Sequence, residues 1–389
     1  MTKVSNQLHR TEAERHWRFL TPQSFLVGLL ILVGFFFFSG RFQWFTFNEK
    51  KGWTVLIALA TVASAVLLIP IWFTCSRILG SRFRFSLRSL FLLCFVVAIV
   101  LGWFAVDLKQ ARNQQVAIQA IANAGGRVFY SWELGVANAQ PPAAAWLRRW
   151  LGVDFFSDAE SIQAAALDDL FADATLDFTD IDMANLQHLP KLEFLALYGA
   201  PITDAGLSHV ASLRSLRTLG LNDTQITDEG LLHLQRLTNL ENLLFGSTRI
   251  TDAGLVHLKP LRRLKSLVMG RTQITDAGLE HVVRLTSLQS LSLFDTQITD
   301  EGLVHLQKLT SLEDLGLDRT RISDAGLARL QLLVKLKRLG LGETQITDAG
   351  LEHVRHLKNL EQLRIGRTQV SDAGVKQLKQ SLPNCEVMR

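Results

Sequence analysis

Cysteine pairs and catalytic motifs are what this 389-residue chain lacks most clearly. Its three cysteines, Cys75, Cys94 and Cys385, form no C-x-x-C pair, which argues against a zinc or dithiol redox site. A nucleophile elbow, a glycine-rich phosphate loop, a His-Glu-x-x-His motif and a kinase signature are missing as well. The sequence therefore points to no catalytic residue, no cofactor and no metal site, and we expect a protein that is not an enzyme.

Basic charge is concentrated at one end of the chain. Residues 1–112 contain 13 of the 41 basic residues and 4 of the 36 acidic residues. The remainder of the chain therefore contains 28 basic and 32 acidic residues. The larger part of the chain is slightly acidic and has no basic stripe, so we expect no nucleic-acid partner. The basic residues flank apolar segments instead.

Three uncharged apolar segments in the first 106 residues are long enough to span a bilayer, which takes roughly 17–25 residues. They cover about 19–40, 53–73 and 89–106. Tryptophans near their ends suit membrane interfaces. The segments predict a membrane domain at 1–106 with three transmembrane helices. The flanks that would face the cytoplasm carry eight Lys and Arg against five on the other side, so the positive-inside rule favours a cytoplasmic amino terminus and an extracytoplasmic carboxyl-terminal part.

The stretch Ile202–Leu207, Ile-Thr-Asp-Ala-Gly-Leu, returns seven more times at steps of 24 residues, ending with the copy at Val370. A fixed period of 20–29 residues with leucines at set offsets is typical of a leucine-rich-repeat solenoid. We therefore predict an α/β solenoid, a horseshoe of 24-residue repeats at 178–389 with a parallel concave sheet and short convex helices. Residues 107–177 would form a juxtamembrane linker and an amino-terminal cap.

One repeat shows how the elements arise. Leu291 and Leu293 alternate with serines as in a strand, and three leucines spaced three apart follow on a short helix. Thr299 and Asp300 would open that helix as cap and first-turn acid. Thr296, which recurs in the other repeats, is expected to bond the backbone of the next turn and to build a ladder between repeats.

The block before the repeats carries a more specific resemblance. Arg84-Phe-Ser-Leu-Arg-Ser-Leu90, Gly125-Gly-Arg-Val128, Trp146-Leu-Arg-Arg149 and Leu151-Gly-Val-Asp-Phe-Phe156 resemble the membrane-anchored leucine-rich-repeat proteins of planctomycete bacteria. The resemblance covers about residues 82–389. It implies a location at the bacterial cytoplasmic membrane and a binding role, and it implies no reaction. The two apolar segments before Arg82 depart from the single anchor frequent in that family.

Two polar columns invite a metal interpretation. His209 recurs at five further repeats, but that helix position should face solvent, and helices 8–10 Å apart are too distant for compact coordination. The Thr-Asp column could imitate a calcium loop, although oxygen ligands must converge on one ion. We therefore expect surface histidines and helix caps here.

The concave face is the candidate binding surface, because its side chains vary while the frame stays constant. Asn222, Val268, Asp314 and Arg338 point outward there, and the predicted partner-binding residues are Phe194, Tyr198, Leu244, Arg271, Phe294, Asp318, Arg319, Arg364 and Arg367. The first hypothesis is a membrane-tethered, non-enzymatic module that captures a protein or peptide outside the cytoplasmic membrane. The alternatives are an envelope-organising structural protein, or a regulatory subunit of a membrane complex that pairs with a membrane-protein partner through its helices.

Overall fold

The structure, a computed structural model, describes residues 87–130, 148–149, 151, 153–155, 157, 159–163 and 178–389. At 87–90, 92, 93, 96, 100, 155 and 163 the description covers the backbone alone. The chain divides into two compact units: residues 1–113 with 135–157, and residues 114–134 with 158–389. The repeats belong to the second unit.

The first helix, α1, runs from Leu87 to Asn123. It ends before Gly125, whose positive φ of 85° suits a residue without a β-carbon. The predicted membrane segments at 19–40 and 53–73 lie outside the described residues, and the third falls within α1. Within the described part of the chain, no helix is long and apolar enough to cross a membrane. The three predicted spans therefore find no support there.

Eleven strands in the described residues form one sheet whose order follows the chain from β1 to β11. β1 and β2 are antiparallel, and every later neighbouring pair is parallel. The bounds are β1 Arg127–Tyr130, β2 Ala159–Gln163, β3 Phe194–Ala196, β4 Thr218–Gly220, β5 Asn242–Leu244, β6 Ser266–Val268, β7 Ser290–Ser292, β8 Asp314–Gly316, β9 Arg338–Gly340, β10 Gln362–Arg364 and β11 Glu386–Met388. Each repeat strand is in register with the next at a step of 24 residues, as the period requires.

Short helices lie on the other side of the repeats. The α-helices are α2 Asp180–Met183, α3 Asp204–Leu207, α4 Asp228–Leu232, α5 Asp276–Val282, α6 Leu303–Leu306, α7 Asp324–Leu327, α8 Asp348–Val354 and α9 Asp372–Ser381. The 3₁₀ segments of the repeats are Ala184–His188, Ser208–Ser212, His233–Arg236, Gly254–Leu258 and Ala328–Leu332. A further 3₁₀ segment, Val153–Phe155, belongs to the other compact unit. The helices are short because each must turn back to the sheet within one period. The prediction of a parallel sheet with short helices is confirmed.

The core is a continuous stack of leucines and isoleucines between the sheet and the helices. In one repeat, Leu291, Leu293, Ile298, Leu303 and Leu306 are each at most 1% exposed. Burying a side chain of this size contributes about 1.5–3 kcal/mol. Because one repeat cannot cover these residues alone, the stack must be closed at both ends.

The amino-terminal closure uses β2, which the sequence did not reveal as a strand. Ile162 of β2 is fully buried and stands opposite Leu195 of β3. Ile162 therefore covers the first repeat. At the other end, β11 adds a further parallel strand, with Val387 opposite Leu363.

The ladder between repeats is formed by the Thr-Asp column. The Asp276 carboxylate accepts from the backbone N–H of Thr299 at 2.8 Å and from its hydroxyl at 2.5 Å. The same two bonds join every neighbouring pair from Asp180–Thr203 to Asp348–Ser371. Six of these eight aspartates begin their own helix and all eight join the next repeat. The prediction that Thr299 and Asp300 open their helix is wrong, because that helix begins at Leu303, after a turn.

The ladder predicted for the Thr296 column is wrong. The Thr296 hydroxyl donates to the carbonyl of Leu293 at 2.7 Å, within its own repeat. Thr248 and Thr320 make the same bond three residues back. A hydroxyl reaches this carbonyl because the chain turns sharply after each strand, so the threonines hold the turn and not the stack.

Candidate binding surface

The open face of the sheet presents three side-chain columns across the repeats. In each repeat strand the central leucine points into the core, and its two neighbours point outward. A third outward residue follows two positions beyond the strand, as Tyr198 does after β3. Differences between repeats in these columns decide what the surface can bind.

At the amino-terminal end, the predicted residue Tyr198 is partly built into the sheet. Its ring lies where a β-carbon on Gly220 would collide with it, and Ala196 beside it is fully buried. Desolvation by burial raises the pKa of the Tyr198 hydroxyl. Phe194 and Leu244 are half-buried on β3 and β5. These three residues belong to other repeats than Phe294, Arg271 and Arg319, which form the cluster described below.

Asp318, another predicted binding residue, serves the sheet itself. Its Oδ1 accepts from the backbone N–H of Gly342 at 2.9 Å, and its side chain is only 13% exposed. Asn222 makes the equivalent bond to Gly246 at 2.7 Å. We therefore assign Asp318 a positioning role between repeats, and its contact with a partner stays a prediction.

Phe294 lies between two arginines, Arg271 and Arg319, and the three residues form one cluster. The guanidinium carbons of Arg271 and Arg319 lie 5.2 and 5.3 Å from its ring centroid. Such cation–π contacts restrict both the ring and the guanidinium groups. The sequence placed all three residues on this face, and the structure brings them together.

A row of seven residues at the end of the strands has left-handed backbone, with φ between 54° and 59°. We call this row the rim column; it consists of Asp223, Ser247, Arg271, Asp295, Arg319, Glu343 and Arg367. Six of its seven backbone N–H groups donate to a carbonyl of the following repeat, which holds this conformation. Left-handed backbone generally costs a residue with a β-carbon about 1–2 kcal/mol relative to the right-handed form.

From Arg271 to Arg367, opposite charges alternate along the rim column and form exposed ion pairs. Arg271 Nε lies 3.6 Å from Asp295, and Glu343 contacts Arg319 at 3.0 Å and Arg367 at 3.5 Å. The hydrogen bond from Arg319 lowers the pKa of Glu343, and the same bond raises the pKa of Arg319. Asp295 and Glu343 are absent from the predicted set, although the alternation of sign at 24-residue steps could have revealed them.

Beside this cluster the sheet has a shallow depression of about 140 Å³. Its floor includes Ser292 and Gly316, and its sides include Arg338 and Arg364. Arg338 is held by both carboxylate oxygens of Asp314, at 2.5 and 2.6 Å. Arg364 is 63% exposed and lies 4.0 Å from a carboxylate oxygen of Asp318. The depression therefore combines small residues with one weakly paired cation.

The histidine column lies on the helical side and makes contacts between side chains. His257 Nδ1 lies 2.8 Å from the amide nitrogen of Gln235, and His353 makes a similar contact with Gln331. Among the described residues, no group of three or more His, Cys, Asp or Glu side chains is arranged to hold a metal ion.

Comparisons with known proteins agree with this architecture. A family model described as "Leucine Rich repeat" matches residues 212–234 and 284–306. Both matched stretches lie within the 24-residue repeats, whose period and parallel sheet are those of a leucine-rich-repeat solenoid. Solenoids of this kind commonly present extended binding surfaces. No curated protein matches the chain.

Several solved structures are similar over about half of the chain. An internalin C2 from Listeria monocytogenes is 28% identical with a TM-score of 0.44, covering 53% of this chain and 83% of that one. A second internalin from the same species is 19% identical with a TM-score of 0.25, covering 56% and 92%. A leucine-rich-repeat protein from Leptospira interrogans is 20% identical with a TM-score of 0.36, covering 53% and 62%.

Proposed function

We propose that this chain is a non-enzymatic binding module whose concave sheet surface captures a polypeptide, with the contact centred on Phe294. The observation that carries the proposal is the Phe294 ring held between two arginines, two residues beyond Ser292, which lines the open depression. Buried aromatic and arginine side chains dominate the binding energy of protein interfaces.

The rigidity of the surface supports the same role. Every repeat strand is paired on both sides, and the Thr-Asp ladder fastens each repeat to the next. Side chains fixed on such a frame lose little conformational entropy when a partner binds.

Photo-cross-linking of the full chain in its native host would test this proposal. A photoreactive residue replaces Ser292 in the depression, and the matched control replaces Leu332, which is 58% exposed on the helical side. We expect a discrete polypeptide adduct from position 292 and none from position 332. Equal adduct formation at both positions, or none at 292, would contradict the proposal.

Two substitutions sharpen the test. Phe294→Ala should weaken capture by about 30-fold, the effect of losing roughly 2 kcal/mol at an interface anchor. Gly316→Leu should also block capture by filling the depression, because a β-carbon at Gly316 meets nothing closer than 3.4 Å. Both variants should keep the melting temperature of the parent chain.

The membrane anchor belongs to the same proposal. Large apolar side chains on α1 are exposed: Phe91 by 68%, Phe95 by 62% and Val106 by 63%. Exposed apolar side chains in a row need a covering partner, and a bilayer would provide one. The apolar segments at 19–40 and 53–73 and the resemblance to planctomycete membrane-anchored proteins favour an anchor at the bacterial cytoplasmic membrane with the repeats outside.

Protease treatment of intact spheroplasts would test this topology with a carboxyl-terminal tag. Loss of the tag without lysis would support an extracytoplasmic repeat domain. Protection until lysis would refute that orientation and would direct the search for partners to the cytoplasm. Recovery of the chain in the soluble fraction after lysis would refute the anchor itself.

A further inference from the structure

We propose that the rim column binds a second copy of this chain in antiparallel orientation. This inference rests on the proposed function, because it identifies the partner of the surface around Phe294. The residues that carry it are Arg271, Asp295, Arg319 and Glu343.

The rim column keeps charged side chains where stability alone would not favour them. Arg271, Arg319 and Glu343 occupy left-handed backbone, a conformation that glycine adopts without a steric penalty. Their ion pairs are exposed, with side chains between 37% and 55% accessible, and exposed pairs contribute little to folding. Strained backbone that carries specific side chains is frequent at functional sites, so the internal pairs do not account for the column.

The order of charges decides the kind of partner. From Arg271 to Glu343 the signs run plus, minus, plus, minus at steps of one strand, about 4.8 Å each. A uniformly acidic or basic segment would meet a like charge at every second step. A partner with alternating charges at the same spacing would meet an opposite charge at each step.

A second copy read in the opposite direction has this pattern. With a two-fold axis midway between Asp295 and Arg319, Arg271 faces Glu343 of the second copy and Asp295 faces its Arg319. The same pairing holds from the other side, as an isologous interface requires. Phe294 lies next to this axis, so the contact would have aromatic side chains near its centre and charges around them.

Exchanging one internal pair separates this proposal from an internal role. In the parent chain, Arg319 Nη2 lies 3.0 Å from Glu343 Oε1. The double substitution Arg319→Glu with Glu343→Arg preserves an ion pair between these two positions. Across the two-fold axis, however, the exchange places a positive charge at position 343 against Arg271 and a negative charge at position 319 against Asp295. Adding Arg271→Glu and Asp295→Arg inverts all four charges, keeps an ion pair at 271–295 and at 319–343, and restores the contacts across the axis. The exposed pair between positions 343 and 367 is lost in both variants, so it does not distinguish them.

Light scattering on the full purified chain would measure the protein mass of each particle at low and high salt. We expect a salt-sensitive dimer for the parent chain and for the four-charge inversion. The two-charge exchange should weaken association by at least about tenfold while its melting temperature stays near that of the parent. Tagged four-charge inversion should not retain untagged parent chain on an affinity resin.

A parent chain that is monomeric at low salt would overturn the inference, as would a two-charge exchange that associates as tightly as the parent. Efficient mixing of parent and inverted chains would overturn it as well. Cross-linking from position 292 distinguishes the two proposals. Adducts to other polypeptides alone would refute self-association and leave the binding role intact, whereas no adduct at all would refute both.

Discussion

The two hydrogen bonds between Asp276 and Thr299, one rung of the Thr-Asp ladder, give the sharpest test of how this solenoid is held together. Asp276→Ala removes the acceptor of two hydrogen bonds, at 2.8 and 2.5 Å, and leaves the Thr299 N–H without its partner. Hydrogen bonds to charged groups contribute about 1.5–3 kcal/mol each. We therefore expect a loss of about 3 kcal/mol in the free energy of unfolding, or about 6–12 °C in the melting temperature of a repeat domain of this size.

The same column supplies the control. Asp372 has the equivalent position in the last repeat, but its side chain is 94% exposed and pairs with Arg389 on the surface. Asp372→Ala should therefore leave the melting temperature nearly unchanged. Asp276→Asn should lie between the two alanine variants, since its amide oxygen can still accept from the Thr299 N–H.

Thermal unfolding of the full chain, followed by circular dichroism, would measure these effects. Because each repeat contacts only its neighbours, loss of one rung weakens a single interface in the middle of the stack. The reasoning would be refuted by equal melting temperatures for Asp276→Ala and Asp372→Ala. That result would mean that leucine packing alone fixes the stacking and that the ladder is incidental.

Three further predictions concern the same frame. Thr296→Val should cost about 1 kcal/mol in unfolding free energy, clearly less than Asp276→Ala, because it removes one bond inside a repeat; urea unfolding checks this. The hydroxyl and backbone N–H of Ser371 lower the pKa of Asp348 below its ordinary 3.8. The stabilising effect of the ionised Asp348 is therefore complete above about pH 3.8 and disappears as the pH falls through the lower pKa of the folded state. Asp348→Asn should make the melting temperature less sensitive to pH in this acid range. Gly302→Ala places a β-carbon against the Asp276 carboxylate and should destabilise the fold, but by much less when Asp276→Ala is already present; a double-mutant cycle would show this coupling.

The fold was predictable because its period is a local property of the sequence. Leucines at fixed offsets every 24 residues determine which side chains are buried, and the structure buries them as expected. The strand at 159–163 was missed because it lies outside the repeats and has no periodic signal. Its assignment depends on Ile162 pairing with β3, which is a contact between distant segments.

The candidate site was predictable only in part. Alternation along the strand placed Phe294 on the open face, whereas Arg271 and Arg319 follow their strands in left-handed backbone, which alternation does not describe. It could not show that the Asp318 carboxylate turns back to the N–H of Gly342, because that depends on the distance between neighbouring strands. The same limit led to the wrong ladder: Thr296 and Asp276 are both suitable partners by residue type, and the angle of the turn decides between them.

By itself, the sequence determined the repeat architecture, its register and the faces of its strands, because burial of leucines at a constant period permits few other arrangements. Only the tertiary structure decided how the repeats are joined and which surface residues meet. Stacking brings residues 23 or 24 positions apart within hydrogen-bonding distance, and it sets the left-handed turns that form the rim column. These contacts depend on angles and distances between strands that no single repeat specifies.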